Sequence, residues 1–168
     1  NIDALAKSGV RYSNAFVTTS ICAASRATLL TGLFERTHGY TFGKPAISKR
    51  VIASSYPAKL KAAGYNTGFV GKFGVKVKGG KAALSAMFDS FAPTHRGKSV
   101  GKDGEVVHFT DKAGDLAIQF ISKQNPGNPF CLSVSFQAAH AEDGDKENHF
   151  PYPDAEANLY EEVEIPRP

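Results

Sequence analysis

Cys22-Ala23-Ala24-Ser25-Arg26-Ala27-Thr28-Leu29-Leu30-Thr31-Gly32 reads as one short helix with a reactive start. Alanine and leucine are strong helix formers, Gly32 stands where a left-handed residue ends a helix, and the run follows a β-prone segment. Cys22 then falls at or beside the helix N-terminus. There, unpaired backbone N–H groups and the positive end of the dipole favour a thiolate or a bound oxyanion. Arg26 comes four residues later and so rises on the same face. A nucleophile precursor, an anion-binding helix end and a bidentate oxyanion partner converge on one point.

Working outward, the chain alternates helix and strand signals. Residues 1–8 open as a helix capped by Asn1 and stopped by Gly9, which looks like the middle of a longer protein. Residues 10–17 alternate well enough for a strand. Residues 35–47 form a loop containing Thr37-His38-Gly39-Tyr40. A helix fits residues 55–63, ending at Gly64 with Leu60 and Ala63 toward a core, and Thr67-Gly68-Phe69-Val70-Gly71-Lys72 follows as a short strand. Its glycines mark close backbone approach. Beyond the Gly79-Gly80 turn, residues 87–91 suggest a brief strand and residues 94–105 a polar loop. Residues 110–122 read as a helix capped by Thr110 or Asp111, with Ala113, Leu116, Ala117, Phe120 and Ile121 as its core stripe. Residues 129–136 form a strand that ends in Gln137-Ala138-Ala139-His140. This order predicts an α/β fold, a mixed, mostly parallel sheet between helices, with ligand sites beyond the strands' C-terminal ends.

Composition sets the bounds. A chain of 168 residues with 42% hydrophobic content can bury one sizeable core. No apolar run is long enough to cross a bilayer. Residues 1–141 carry 18 Lys and Arg against 7 Asp and Glu, whereas residues 142–164 hold 9 acids and only Lys146. The basic body suits an anionic ligand. Lys76, Lys78 and Lys81, and Lys98 and Lys102, read equally well as solvated surface. Residues 141–168 read as a loop-like acidic segment. Cys131 reads as a buried core thiol in its strand and not as a disulfide partner of Cys22. The stripe over residues 113–121 is core packing, and His38, His95, His108 and His149 lack a motif that lifts them above rim or surface positions.

The pattern Cys-x-Ala-Ser-Arg followed by Leu-x-Gly, carried by Cys22, Ala24, Ser25, Arg26, Leu30 and Gly32, resembles the signature of the type I, formylglycine-dependent sulfatases. The resemblance covers essentially the whole chain and implies an incomplete alkaline-phosphatase-like catalytic domain over residues 1–168. It also implies that Cys22 is oxidised to formylglycine by a formylglycine-generating system and becomes a metal ligand. The hydrated aldehyde would attack sulfur, and its second hydroxyl would later expel sulfate. Arg26 is then a catalytic and sulfate-binding residue. Gly71-Lys72 resembles the glycine-lysine whose ammonium grips a sulfate oxygen, and His140 the histidine that contacts the sulfate and can protonate the leaving alcohol. A sulfated small molecule or glycan is the implied substrate, calcium the implied cofactor, and a periplasmic or secreted parent protein the implied setting.

Two departures follow from the same comparison. Many relatives carry a histidine two positions after the lysine, where this chain has Gly74. The paired carboxylates and the Asp-Asn pair that hold calcium in the family lie outside these residues, and no compact Asp cluster replaces them. The expectation is therefore a chain that does not turn over substrate alone. Two other readings stand beside the sulfatase one: a phosphatase or phosphodiesterase of the same superfamily, and a noncatalytic basic anion-binding module. Nucleic acid is the weaker ligand, since Trp is absent and basic residues are not interleaved with stacking aromatics. The particular ester and the oligomeric state are not encoded in any motif.

Overall fold

The structure, a computed structural model, describes residues 2–96, 99–100, 104 and 106–164. Helix α1 (Ile2–Ser8) is followed by α2 (Cys22–Thr31), α3 (Glu35–His38), α4 (Lys49–Ala53) and α5 (Tyr56–Ala62). Strand β1 (Asn66–Gly71), helix α6 (Gly80–Met87) and strand β2 (Ser90–Pro93) come next. The short strands β3 (Ser99–Val100) and β4 (Val106–Val107), helix α7 (Phe109–Ser122) and strand β5 (Phe130–Ser135) complete the regular elements, apart from a 3-10 turn at Asp154–Glu156.

Three strands form one parallel sheet in the order β2-β1-β5, and β3 pairs with β4 in a separate antiparallel ladder. The register sets Gly71 beside both Pro93 and Ser135, so the three strands end level. Lys72, Arg96 and His140 therefore all leave the sheet from its C-terminal edge. Side chains alternate across β1: Gly68 faces α7, so closely that an added Cβ would lie 2.6 Å from Phe120 Cε2. Phe69 faces the other way, into a core with Ala27, Leu30, Tyr40, Ile52 and Met87. Phe69, Phe73, Phe88 and Phe91 interlock there, with ring centroids 5.2–6.1 Å apart. Each such pair adds roughly 0.5–1.5 kcal/mol beyond area burial. The sheet is thus held between α7 on one face and α2, α5 and α6 on the other.

Several expectations need correction. Residues 10–17 form no strand, and Val10, Tyr12, Phe16 and Val17 are exposed. Their alternation supplies β propensity, but a strand needs a ladder partner, and among the described residues none is adjacent. The brief strand expected at residues 87–91 is shifted, because Met87 closes α6 and β2 begins at Ser90. Helix α7 is capped by His108, whose ring Nδ1 accepts from the Thr110 backbone N–H at 3.3 Å; Thr110 and Asp111 lie inside the helix. Ala63 is exposed, Leu60 and Leu116 are half-buried and Ile121 is exposed; the buried members of the α7 stripe are Ala113, Ala117 and Phe120. Residues 35–47 contain the one-turn helix α3, and the expected loop at 94–105 contains β3. Lys98, Lys102 and the Asn1 cap lie outside the described residues. From residue 141 to 164 the chain is irregular apart from its 3-10 turn.

Candidate active site

Cys22 is the first residue of α2. Ile21 stands before it with extended backbone (φ −122°) and no side chain caps the helix, so the first-turn N–H groups have no intrahelical acceptor. The helix ends as expected at Gly32, in the left-handed conformation with its N–H on Thr28 O at 2.8 Å. The Cys22 thiol is free and exposed. Cys131 is also free and only half-buried, not sealed in the core as expected; burial nonetheless pushes its pKa up.

Arg26 lies one helical turn on, half-buried. Its Nη1 donates to the backbone carbonyl of Lys72 at 2.6 Å and to the Ser135 hydroxyl. The helix, the end of β1 and the end of β5 are therefore pinned together by one guanidinium. Its Nε is buried and has no hydrogen-bond partner among the described residues. A cavity of about 170 Å³, walled largely by Leu29, Leu30, Phe69, Phe73 and Val75, adjoins it. Burial lowers the Arg26 pKa, and Cys22 partly offsets this.

Two glycines make this convergence possible. Gly71 has φ +99°, and a Cβ there would lie 2.0 Å from Ser135 O, so only glycine lets Lys72 N donate to Ser135 O at 2.8 Å. Gly74 has φ +66°, and its Cβ would sit 3.0 Å from Arg26 Cδ and 3.9 Å from Lys72 Cε. A side chain at this position would press on the Arg26 stem.

Lys72 is half-buried at the same edge. Burial is the main cause of its lowered pKa; Arg26 and Arg96 lower it further, and Cys22 and Asp143 raise it. Lys61 pairs with Asp89, and Arg96 with Glu142 and Asp143, whereas among the described residues no carboxylate pairs with Lys72 Nζ.

His140 is held separately. Its backbone N–H donates to Gln137 O at 2.8 Å, and its Nδ1 lies 3.1 Å from Arg96 Nη1 and 2.9 Å from Ala141 O. The structure thus pins Arg26, one turn after Cys22 on α2, to the backbone of Lys72, whereas His140 is held by Arg96. Arg96 and Ser135 were not among the residues singled out from the sequence. A usable signal existed for Arg96: it follows the C-terminal end of a parallel strand, where ligand sites gather. Placing that strand a few residues too early hid it.

The remaining histidines are structural or exposed. His38 is buried, with Nε2 3.1 Å from Thr28 Oγ1 and Nδ1 accepting from Tyr40 N at 3.0 Å; burial lowers its pKa and Glu35 partly offsets this. His108 caps α7 and is more than a surface residue; His95 and His149 are exposed.

The described residues by themselves do not fit a calcium ion. Among them no cluster of three or more His, Cys, Asp or Glu side chains could hold a metal. Glu142 and Asp143, carboxylates of the segment after β5, are engaged by Arg96. Among the described residues no helix is long and apolar enough to cross a membrane.

The sequence pattern of the family described as Sulfatase matches residues 1–164. An N-acetylglucosamine-6-O-sulfatase of Bacteroides thetaiotaomicron is 26% identical over 150 residues, covering 83% of this chain and 26% of that protein. The human N-sulphoglucosamine sulphohydrolase is 33% identical over 143 residues, again 83% of this chain and 26% of its own length. The solved structure of BT4656 in complex with its substrate D-glucosamine-2-N,6-O-disulfate superposes with a TM-score of 0.69 at 23% identity, over 99% of this chain and 33% of that one. The chain therefore spans about a quarter of the length of the two curated relatives.

Proposed function

The chain belongs to the sulfatase family, and we propose that it carries the nucleophile and the sulfate-holding cations of a sulfate ester hydrolase. The observation that supports this most is the Arg26 guanidinium, one turn after Cys22 on α2, fixed on Lys72 O and the Ser135 hydroxyl.

A sulfate monoester repels nucleophiles until its oxygens are neutralised. Groups already aimed at the developing charge do this with little reorganisation. Arg26 is such a group: two protein acceptors fix its Nη1, while the rest of its donor fork is free to face an oxyanion. Lys72 adds a point charge on the same side, and the first-turn N–H groups of α2 add partial positive charge. Converted to formylglycine, Cys22 would supply a geminal diol, one hydroxyl to attack sulfur and the other to expel sulfate afterwards. Exposure of Cys22 at the helix start suits both modification and attack. His140 would place an N–H on the leaving-group oxygen. Calcium ligands other than residue 22 would come from outside residues 1–168.

Sulfated amino sugars are the first substrates to try, since the two relatives above are named for them. The test is co-expression of the intact parent protein that carries these residues with a formylglycine-generating enzyme, followed by mass spectrometry of the Cys22 peptide and assay of N-acetylglucosamine 6-sulfate beside its 6-phosphate. Aldehyde at position 22 with release of sulfate is expected. Thiol alone at that position, or preference for the phosphate, would overturn the proposal.

A further inference from the structure

His38 and Tyr40 are buried, 8% and 2% exposed, and neither takes part in the proposed chemistry. Their polar atoms nonetheless reach both pieces of chain that bear on Arg26. Nε2 of His38 lies 3.1 Å from the hydroxyl of Thr28, two residues after Arg26 on α2. The Tyr40 hydroxyl accepts from the Lys76 backbone N–H at 2.9 Å and donates to the Gly74 carbonyl at 3.3 Å. The two residues are themselves joined, since the Tyr40 backbone N–H donates to Nδ1 of His38 at 3.0 Å.

The donors decide where the protons sit. A backbone N–H only donates, so Nδ1 of His38 meets it with a lone pair, and the proton of the neutral ring is on Nε2, where Thr28 Oγ1 accepts it. The Tyr40 oxygen likewise receives the Lys76 N–H and keeps its own O–H for Gly74 O. Every polar atom of the two side chains is used in this relay.

Arg26 is caught between its ends. Nη1 donates to Lys72 O at 2.6 Å, and Gly74 lies so near that an added Cβ would come within 3.0 Å of Arg26 Cδ. Residues 72–76 are therefore the wall on which the guanidinium stem rests. Arg26 fixes that wall at Lys72 O, one phenol fixes it at Gly74 O and Lys76 N, and Ile47 N donates to Lys76 O at 2.9 Å. Phenylalanine in place of Tyr40 would keep the ring's packing and leave Gly74 O and Lys76 N without this partner.

We propose that Tyr40 is a positioning residue for Arg26, with His38 as its tie to α2: together they set the spacing between the helix that carries the guanidinium and the wall it lies on. The consequence for turnover rests on the sulfate-ester reading above; the consequence for the guanidinium does not.

The Nε–H resonance of Arg26 reads that position directly, because the atom is buried. It is observed in the intact parent protein labelled with nitrogen-15 arginine and assigned by an Arg26→Lys difference. Tyr40→Phe should shift this resonance and speed its exchange with solvent at least about 5-fold, with arginine signals remote from α2 in place. His38→Asn, whose Oδ1 can stand in for Nδ1 as acceptor, should perturb it less than His38→Ala. An Arg26 signal that Tyr40→Phe leaves unmoved, or moves no more than the remote arginines, would overturn the proposal. So would equal shifts from His38→Asn and His38→Ala, a reading that does not depend on the Tyr40 variant folding. In turnover the two sites should not add. Tyr40→Phe should lower kcat/KM on 4-nitrophenyl sulfate about 10-fold when Arg26 is present and less than about 2-fold in an Arg26→Lys background. The same loss in both backgrounds would sink the proposal. If no ester is turned over, the function proposed above fails while the spectra still decide the role of Tyr40.

Discussion

Arg26 and His140 stand at the same edge of the sheet, yet different forces hold them. Arg26 rises from a regular helix and donates to a strand-end carbonyl and a strand-end hydroxyl. Its place is set by α2, β1 and β5 together, and moving it means breaking secondary structure. His140 lies five residues beyond β5 in a segment without regular structure, held by Arg96 and one turn hydrogen bond. Burial and backbone geometry make the first half stiff. Partly exposed charge pairs make the second half adjustable, since such pairs contribute only about 0–1 kcal/mol each.

This contrast can be broken or sharpened by experiment. The largest effect is expected from Cys22→Ala in the intact parent protein, which should reduce turnover on the order of 10⁴-fold or more while leaving stability unchanged, because the side chain is exposed. Residual activity near that of the unmodified protein would remove residue 22 from the chemistry. Next comes Gly71→Ala, with its Cβ 2.0 Å from Ser135 O and φ at +99°. A loss of about 3 kcal/mol or more is expected in urea unfolding. An unchanged midpoint would mean that the stiff half is not stiff.

A smaller effect concerns His38, which braces α2 through Thr28. Burial lowers its pKa from the usual 6.5, so the folded protein favours the neutral ring. Its contribution is full above that value and is lost as pH falls from there through the folded-state pKa, because the unfolded chain takes up the proton first. His38→Ala should cost about 1–2 kcal/mol at pH 8 and flatten this part of the stability profile, measured by thermal unfolding across pH. A profile unchanged by the substitution would contradict the buried pairing.

The smallest effect separates the two halves most directly. Raising salt from about 0.1 to 1 M shortens the screening length from about 10 to 3 Å. Amide exchange at residues 140–145 should then speed up by less than about 5-fold, with α2 and β1 unaffected. Equal acceleration in both regions would erase the distinction.

The helix at residues 22–32 was legible because propensity, the Gly32 stop and the signature residues all act within one short stretch. Strand β1 and helix α7 were legible for a similar reason: a short apolar run bounded by Gly64 and Gly71, and a helical stripe through Ala113, Ala117 and Phe120. The failures share a cause. Residues 10–17 alternate but have no partner strand. His108 displaced the expected caps through a ring nitrogen that helix-start rules do not favour. Met87 was drawn into α6 by packing against the shared core.

The sequence by itself determined that a cysteine opens a helix, that an arginine rises one turn later, and that a glycine-lysine pair ends a strand, because these depend on spacing within single elements. Only the tertiary structure decided that the level ends of β2, β1 and β5 bring Arg96, Lys72 and His140 to one edge, and that the first acids of the 142–164 segment fold back onto the basic body. Strand register and long-range charge pairing join residues far apart in the chain, and no local periodicity records which of them will meet.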